Sequence, residues 1–222
     1  MDFFDAVFFD MDGLLVDSEP VWLLSESELT SAFGYKWTLE DQVACLGGPL
    51  SKVGQYMFEK CGQQKSPSYF TQTLIDIQVS KMREKTPTMP GALELVNQLQ
   101  DNGVKTALVS ASPRNIVDAV LENLGADLFP FSISADDVEN TKPNPECYLK
   151  AASIAQVQIK DCLIFEDSLT GMQSAQQSGA YLVAVPHLVT IEESVRVRVI
   201  SSLEQLSFSK LQSLKKDFNT EL

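Results

Sequence analysis

The chain is poor in the residues on which several classes of protein depend. Among its 222 residues there is one histidine, and the four cysteines are scattered without the paired spacing of a zinc site. Lysine and arginine number 17 against 30 aspartates and glutamates, which leaves a net charge of −13 and no basic patch. Nucleic acid requires such a patch, so these shortages argue against a zinc centre and against nucleic-acid binding. The cysteines are expected to be buried thiols.

Long apolar runs are also missing. No stretch approaches the roughly 18 apolar residues of a membrane helix, and the first residues lack the basic and apolar regions of a signal peptide. We therefore expect a cytoplasmic, monomeric protein with no membrane partner. The hydrophobic fraction of 44% and charged fraction of 21% are ordinary for a globular chain, and the length suits one large domain or two unequal ones.

Short apolar runs alternate with amphipathic segments through most of the chain. After the first run, AVFF, apolar stretches predict strands over residues 104–109, 131–134, 162–165, 181–185 and 197–200. Helical spacing of apolar residues falls between them, and closing helices are expected over 203–218. This alternation predicts an α/β fold, a doubly wound parallel sheet with helices on both faces.

Residues 19–85 break this alternation, because they look helical and contain no convincing strand. We interpret them as an all-α cap inserted after the first strand. The predicted core then comprises 1–16 and 88–222, and the cap comprises 17–87. The alternative is an irregular α/β domain without a separable lid.

Polar side chains follow four of the predicted strands, at the end of each one. Each is weak evidence alone, since Asp-Gly is a common turn and acids commonly follow strands. The carboxyl ends of parallel strands meet at one edge, however, and ligands bind there. The residues expected at this edge are Asp10, Asp12, Ser110, Lys142, Glu166 and Asp167.

Four carboxylates gathered at one edge would repel each other unless a cation were present. Oxygen ligands of this kind suit Mg2+, with Mn2+ as a possible substitute. Lys142 adds a positive charge, and the helix that begins after Ser110 offers N–H groups to a phosphate. Ser112 is placed to cap this helix, with Pro113 at its first position. The set predicts phosphoryl transfer with an aspartate nucleophile.

The segments "DMDGLLVDSEP", "VSASP", "TKPNP" and "FEDSLTG" resemble, in order, the four motifs of the haloacid dehalogenase-like phosphohydrolases. The helical insert resembles the small cap of their β-phosphoglucomutase and phosphoglycolate phosphatase branch. The resemblance implies a Rossmann-like core and Mg2+-dependent hydrolysis of a small phosphorylated metabolite.

The resemblance also implies roles for individual residues. Asp10 would attack phosphorus, and Asp12 would serve as general acid and then general base. Ser110 and the backbone N–H of Ala111 would hold phosphoryl oxygens. Lys142 would offset charge on the nucleophile and on the transferring group.

The same resemblance implies the metal ligands. Asp167 and Asp10 would hold the ion together with the backbone carbonyl of Asp12. Glu166 is either a direct ligand or a partner of metal-bound water, and the motif leaves both possibilities open.

Two departures from the family's mutases favour a phosphatase. The mutases carry a histidine early in the cap, where this chain has Trp22, and the single histidine, His187, follows the last strand of the motif region. They also carry an arginine in the cap's glycine loop, where this chain has Leu50, with Lys52 nearby. "DSEPVW" further resembles phosphatases of hexose 6-phosphates and their deoxy analogues. A phosphosugar mutase and a non-catalytic phosphosugar-binding protein remain the alternatives.

Two cap features have both a binding and a structural interpretation. Trp22 could stack on a sugar or fill the core of the cap. Gly47 and Gly48 could let the cap loop approach the site, or simply form an interhelical turn.

Overall fold

The structure, a computed structural model, describes residues 3–45, 49–186 and 191–220. Its centre is a six-stranded sheet in which every neighbouring pair of strands is parallel. In chain order the strands are β1 Ala6–Phe9, β2 Lys105–Val109, β3 Ser132–Ile133, β4 Leu163–Glu166, β5 Tyr181–Ala184 and β6 Val197–Val199. The spatial order is β3-β2-β1-β4-β5-β6, which confirms the predicted doubly wound α/β fold.

Alternation within each strand divides the core into two layers. Val7 and Phe9 of β1 pack into one apolar cluster, whereas Ala6 and Phe8 pack into the other. All four side chains are fully buried, since helices cover both faces of the sheet. This explains why β1 is a continuous apolar run that ends abruptly in aspartate.

Within the described ranges, five α-helices belong to the core: α5 Ala92–Asp101, α6 Arg114–Leu124, α7 Glu146–Ala155, α8 Leu169–Ser178 and α9 Phe208–Thr220. Apolar residues of α5, α6 and α9 join the cluster of Phe9, and those of α7 and α8 join the cluster of Phe8. The closing segment is helical, as predicted: a 3-10 helix, Leu203–Gln205, precedes α9.

The segment between β1 and β2 is helical, as predicted, and forms the inserted cap. Its helices are α1 Glu19–Ser31, α2 Leu39–Cys45, α3 Leu50–Lys60 and α4 Pro67–Glu84. The cap has its own apolar cluster, which includes Leu29, Trp37 and Phe70. The limits of the cap at residues 17 and 87 stay a prediction.

The cap and the core contact each other along the connecting segments and along α4. The connecting segments run side by side, where Asp17 N donates to Pro87 O across 3.0 Å and Met89 N donates to Leu15 O across 3.0 Å. Helix α4 also lies along α6, and Arg83 Nε donates to a carboxylate oxygen of Glu122 across 2.8 Å.

Two expectations from the sequence can be compared with the structure. All four cysteines are free, and Cys61, Cys147 and Cys162 are buried, as expected for thiols that pack in the core. No helix within the described ranges combines the length and the apolar character needed to cross a membrane.

Candidate active site

The central strand β1 and its neighbour β4 bring the first two carboxylates together. Phe9 is in register with Phe165, and Asp10 N donates to Phe165 O across 3.1 Å. Asp10 therefore continues the ladder beside Glu166, the last residue of β4. Both are buried, with relative exposures of 6% and 0%.

Lys142 connects the ends of three strands. Its Nζ donates to Asp10 Oδ1 across 2.5 Å, to Glu166 Oε1 across 2.7 Å and to the carbonyl of Val109, the last residue of β2, across 2.8 Å. An ammonium group has three protons, so these three acceptors use all of them. The side chain is 3% exposed. Although burial opposes its charge, Asp10 and Glu166 keep the pKa of Lys142 well above its usual value.

Glu166 accepts hydrogen bonds at both of its oxygens. Oε1 accepts from Lys142 and from the hydroxyl of Tyr148, 2.8 Å away. Oε2 accepts from the backbone N–H groups of Asp167 and Ser168, at 3.1 and 3.3 Å, and from the hydroxyl of Ser168 at 3.2 Å. Gly171 lies against this carboxylate, and a Cβ there would come within 1.8 Å of Oε1.

Asp167 completes an acidic cluster. One carboxylate oxygen each from Asp10, Glu166 and Asp167 lie within 4.8 Å of one another. Burial, together with the neighbouring carboxylates, raises the pKa of Asp10 to about 8 and that of Asp167 to about 9. Asp167 Oδ1 is buried and has no hydrogen-bond partner among the residues that the structure describes. Gly13, at a φ of +80°, lies close to the other oxygen, because a Cβ there would come within 2.2 Å of Oδ2.

These observations fit a divalent cation. The cluster offers hard oxygen donors, one of them unsatisfied, and the charge of a cation would offset the burial and the repulsion that together raise both pKa values. Because all the hydrogen-bonding positions around Glu166 are used by protein groups, Asp10 and Asp167 are the side chains best placed to ligate it.

Asp12 is held by one residue of the core and one of the cap. Ser112 Oγ donates to Asp12 Oδ2 across 2.7 Å, and the indole N–H of Trp22 lies 3.5 Å from Oδ1. Trp22 is half-buried and packs against the apolar clusters of both the core and the cap. Its packing agrees with the structural interpretation, and its indole faces the candidate acid/base.

The loop after β2 differs from the prediction in one respect. Helix α6 begins at Arg114, and the Ser112 side chain does not cap it. Arg114 N instead donates to Asp136 Oδ2 across 2.8 Å, so Asp136 already uses the first amide of the helix. Pro113 occupies the N-cap position rather than the first helical one. The expected phosphate seat at the helix N-terminus therefore lacks this amide.

Ser110 is buried at the end of β2, and its hydroxyl accepts from Ser112 N across 2.9 Å. Ala111 between them is exposed. Ser110 is therefore linked through Ser112 to Asp12, which places this loop at the same edge of the sheet as the acids.

Hydrogen bonds and short carboxylate distances thus bring together the six residues predicted at the strand ends. Their catalytic and metal-binding roles stay predictions. Gly47, Gly48 and His187 lie outside the described residues. Sequence reasoning missed Tyr148 and the contact of Ser112 with Asp12. The signal available for Tyr148 was its position six residues after Lys142, on the face of α7 that packs into the core.

Comparisons with known proteins agree with this architecture. The haloacid dehalogenase-like hydrolase family matches residues 7–185. Protein SUPPRESSOR OF QUENCHING 1, chloroplastic, of Arabidopsis thaliana is 34% identical over 195 residues, which cover 86% of this chain and 18% of that protein. Hexitol phosphatase B of Escherichia coli (strain K12) is 29% identical over 184 residues, 82% of this chain and 83% of the relative.

A solved structure extends the likeness to nearly the whole fold. β-Phosphoglucomutase (pgmB) from Clostridium difficile superposes with a TM-score of 0.81 at 24% identity, covering 98% of this chain and 99% of that one. The four motifs, the parallel sheet with its helical cap and the match over residues 7–185 lead to one conclusion: the chain belongs to the haloacid dehalogenase-like hydrolase family.

Proposed function

We propose that this protein is a Mg2+-dependent phosphatase that hydrolyses a small sugar phosphate through an aspartyl-phosphate on Asp10. The observation that carries the proposal is the contact of Lys142 with Asp10 at 2.5 Å, beside the acidic cluster. It joins a buried carboxylate nucleophile to a fixed positive charge at the ligand-binding edge of the sheet. The name of the relative hexitol phosphatase B and the segment "DSEPVW" support a sugar phosphate as the substrate class.

In the first half-reaction an Asp10 oxygen attacks phosphorus and the bond from phosphorus to the leaving oxygen breaks. Asp12 gives its proton to that oxygen, so the alcohol leaves neutral. Ser112 orients Asp12 for this transfer through its hydrogen bond to Oδ2. Lys142 offsets negative charge on Asp10 and on the transferring group.

In the second half-reaction Asp12, now ionised, takes a proton from water. The water oxygen bonds to phosphorus, the bond between phosphorus and Asp10 breaks, and inorganic phosphate leaves. Proton and charge balance because Asp12 recovers the proton that it gave up. Ser110 and the N–H of Ala111, on the loop beside Asp12, would hold phosphoryl oxygens in both halves.

Asp10 and Asp167 would hold Mg2+, together with the backbone carbonyl of Asp12. When bound, the ion supplies positive charge that orients the phosphate and stabilises its negative charge. The unpartnered Oδ1 of Asp167 supports this assignment, which Mn2+ would also satisfy.

Two cap residues favour hydrolysis over mutase chemistry. Leu50 begins α3 and packs against the apolar clusters of the cap and the core, so it has no group to hold a second phosphate. Trp22 presents an indole N–H, which donates but cannot accept a proton as histidine does. The cap is therefore suited to the uncharged organic part of a monophosphate.

The test measures phosphate released from a panel of phosphorylated metabolites, with and without Mg2+, by the wild type and by Asp10→Asn. We expect metal-dependent release by the wild type and none by the variant. Asp5→Asn is the matched control, because Asp5 precedes the same strand but is exposed at its opposite end. Turnover retained in Asp10→Asn would refute the nucleophile assignment.

Two other outcomes would replace the proposal. Interconversion of β-glucose 1-phosphate and glucose 6-phosphate in an assay primed with bisphosphate would make the protein a mutase. Binding of sugar phosphates without any turnover, with Mg2+ present, would make it a binding protein.

A further inference from the structure

A buried tyrosine packs against the lysine of the site. Tyr148 lies on α7 and is fully buried, with a relative exposure of 0%. Its hydroxyl donates to Glu166 Oε1 across 2.8 Å, and its ring centroid lies 5.0 Å from Lys142 Nζ. One side chain therefore touches both members of the Lys142–Glu166 pair, through its hydroxyl and through the face of its ring.

The contacts of Glu166 are those of a hydrogen-bond acceptor that holds neighbouring groups in place, not those of a metal ligand. Its Oε1 accepts from Lys142 and Tyr148, and its Oε2 accepts from the backbone and side chain of the loop that follows β4. The carboxylate is fully buried, and Gly171 closes the space beside it. Turning Glu166 toward an ion would break these bonds and leave Tyr148 and Lys142 with unmet buried donors.

We propose that Tyr148 is a positioning residue that fixes Glu166, and through it holds Lys142 on Asp10, while Glu166 stays off the metal. The proposal rests on the function proposed above for Asp10 and Lys142. It assigns Tyr148 a part in the reaction although the phenol does not touch the reacting atoms.

The physical basis is competition for one ammonium group. Lys142 shares its protons between Glu166, Asp10 and the carbonyl of Val109. The Tyr148 hydroxyl donates one of the two hydrogen bonds that Glu166 Oε1 accepts, and Lys142 donates the other. Without it, the buried oxygen depends on Lys142 alone and draws the ammonium away from Asp10. The nucleophile then loses the positive charge that orients it.

The experiment uses Tyr148→Phe, which removes one oxygen and keeps the ring. We expect kcat on the best substrate of the panel to fall about ten- to a hundredfold, the range for outer-sphere groups that orient a metal ligand, because Tyr148 acts on the ligand Asp10 through Glu166 and Lys142. We expect KM to stay within about threefold of the wild type. The matched control is Tyr56→Phe. The Tyr56 hydroxyl also donates across 2.8 Å to a buried carboxylate, Asp41, but in the cap. We expect the control to lose similar thermal stability and to keep kcat. An unchanged kcat in Tyr148→Phe would refute the proposal.

A second measurement needs neither activity nor the variant. In crystals of the wild type soaked with Mn2+, we expect Glu166 to stay within hydrogen-bond distance of Tyr148 and Lys142, with Mn2+ on Asp10 and Asp167. Glu166 turned away from both partners, with or without ion, would overturn the proposal.

Crystals of the variant separate a failure of the proposed function from a failure of the positioning role of Tyr148. If the wild type released no phosphate from any substrate, the proposed function would fail. Crystals of Tyr148→Phe would then decide the inference. A distance between Lys142 Nζ and Asp10 Oδ1 beyond about 3.5 Å would support the positioning role of Tyr148, and an unchanged distance would refute it.

Discussion

Glu26 is a buried carboxylate in the cap. It lies on α1 with a relative exposure of 5%, and its Oε2 accepts a hydrogen bond from Trp37 Nε1 across 2.8 Å. Burial raises its pKa, the indole hydrogen bond partly offsets this, and Glu19 and Asp41 raise it too, so that the pKa lies at about 7 rather than 4.5. Folding therefore favours the neutral form of this side chain.

The sign of the effect on stability follows from proton binding. Above pH 4.5 the unfolded chain loses the proton of Glu26 while the folded chain still holds it, so the free energy of unfolding falls as the pH rises and levels off above about pH 7. The full rise of the Glu26 pKa, from 4.5 to about 7, corresponds to a loss of about 3 kcal/mol in the free energy of unfolding. On the same basis the cost is below about 1 kcal/mol near pH 5 and about 3 kcal/mol near pH 8.5.

Glu26→Gln removes the charge and keeps an oxygen that accepts from Trp37. Urea unfolding, followed by the fluorescence of the two tryptophans, should show that the variant gains about 2 to 3 kcal/mol more over the wild type at pH 8.5 than at pH 5. Glu59→Gln, which removes an exposed charge from α3, controls for net charge and should change the stability by less than about 0.5 kcal/mol. An equal gain for Glu26→Gln at both pH values would refute the reasoning.

Three further predictions concern the site. Gly171→Ala places a Cβ 1.8 Å from Glu166 Oε1. We expect the free energy of unfolding, measured with urea, to fall by at least about 2 kcal/mol, and phosphate release to be lost. Wild-type values of both would show that the contact is not rigid. Ser112→Ala removes the donor to Asp12; kcat should fall about tenfold at constant KM in steady-state assays, and an unaffected kcat would remove Ser112 from the mechanism. Mg2+ at a hundred times its Kd should stabilise the protein by about 2.7 kcal/mol in thermal scans, and the same shift in Asp167→Asn would contradict the ligand assignment.

Much of the fold followed from local patterns. Apolar runs predicted every strand of the sheet to within one or two residues, and the absence of such runs between residues 19 and 85 predicted the helical cap. The strand boundaries were accurate because both faces of the sheet are covered, which makes the apolar runs continuous. The closing helices were also predicted, although apolar spacing does not tell a 3-10 turn from the first turn of an α-helix.

The candidate site was predictable only as a set of residues. Lys142 and Asp10 are 132 positions apart, yet topology alone predicted that they share one edge of the sheet. Their hydrogen-bond partners were not predictable in the same way. Ser112 satisfied every sequence rule for a helix cap, but its hydroxyl bonds to Asp12 while Asp136 caps α6.

The order of apolar and polar residues by itself determined the parallel sheet, the inserted helices and the edge at which the acids and the lysine meet, because backbone geometry links strand direction to position. Only the tertiary structure decided that Glu166 bonds to Tyr148 and Lys142, and that Asp167 keeps an unsatisfied oxygen. Hydrogen bonding and desolvation act over about 3 Å, a distance that sequence spacing does not specify for side chains on different elements.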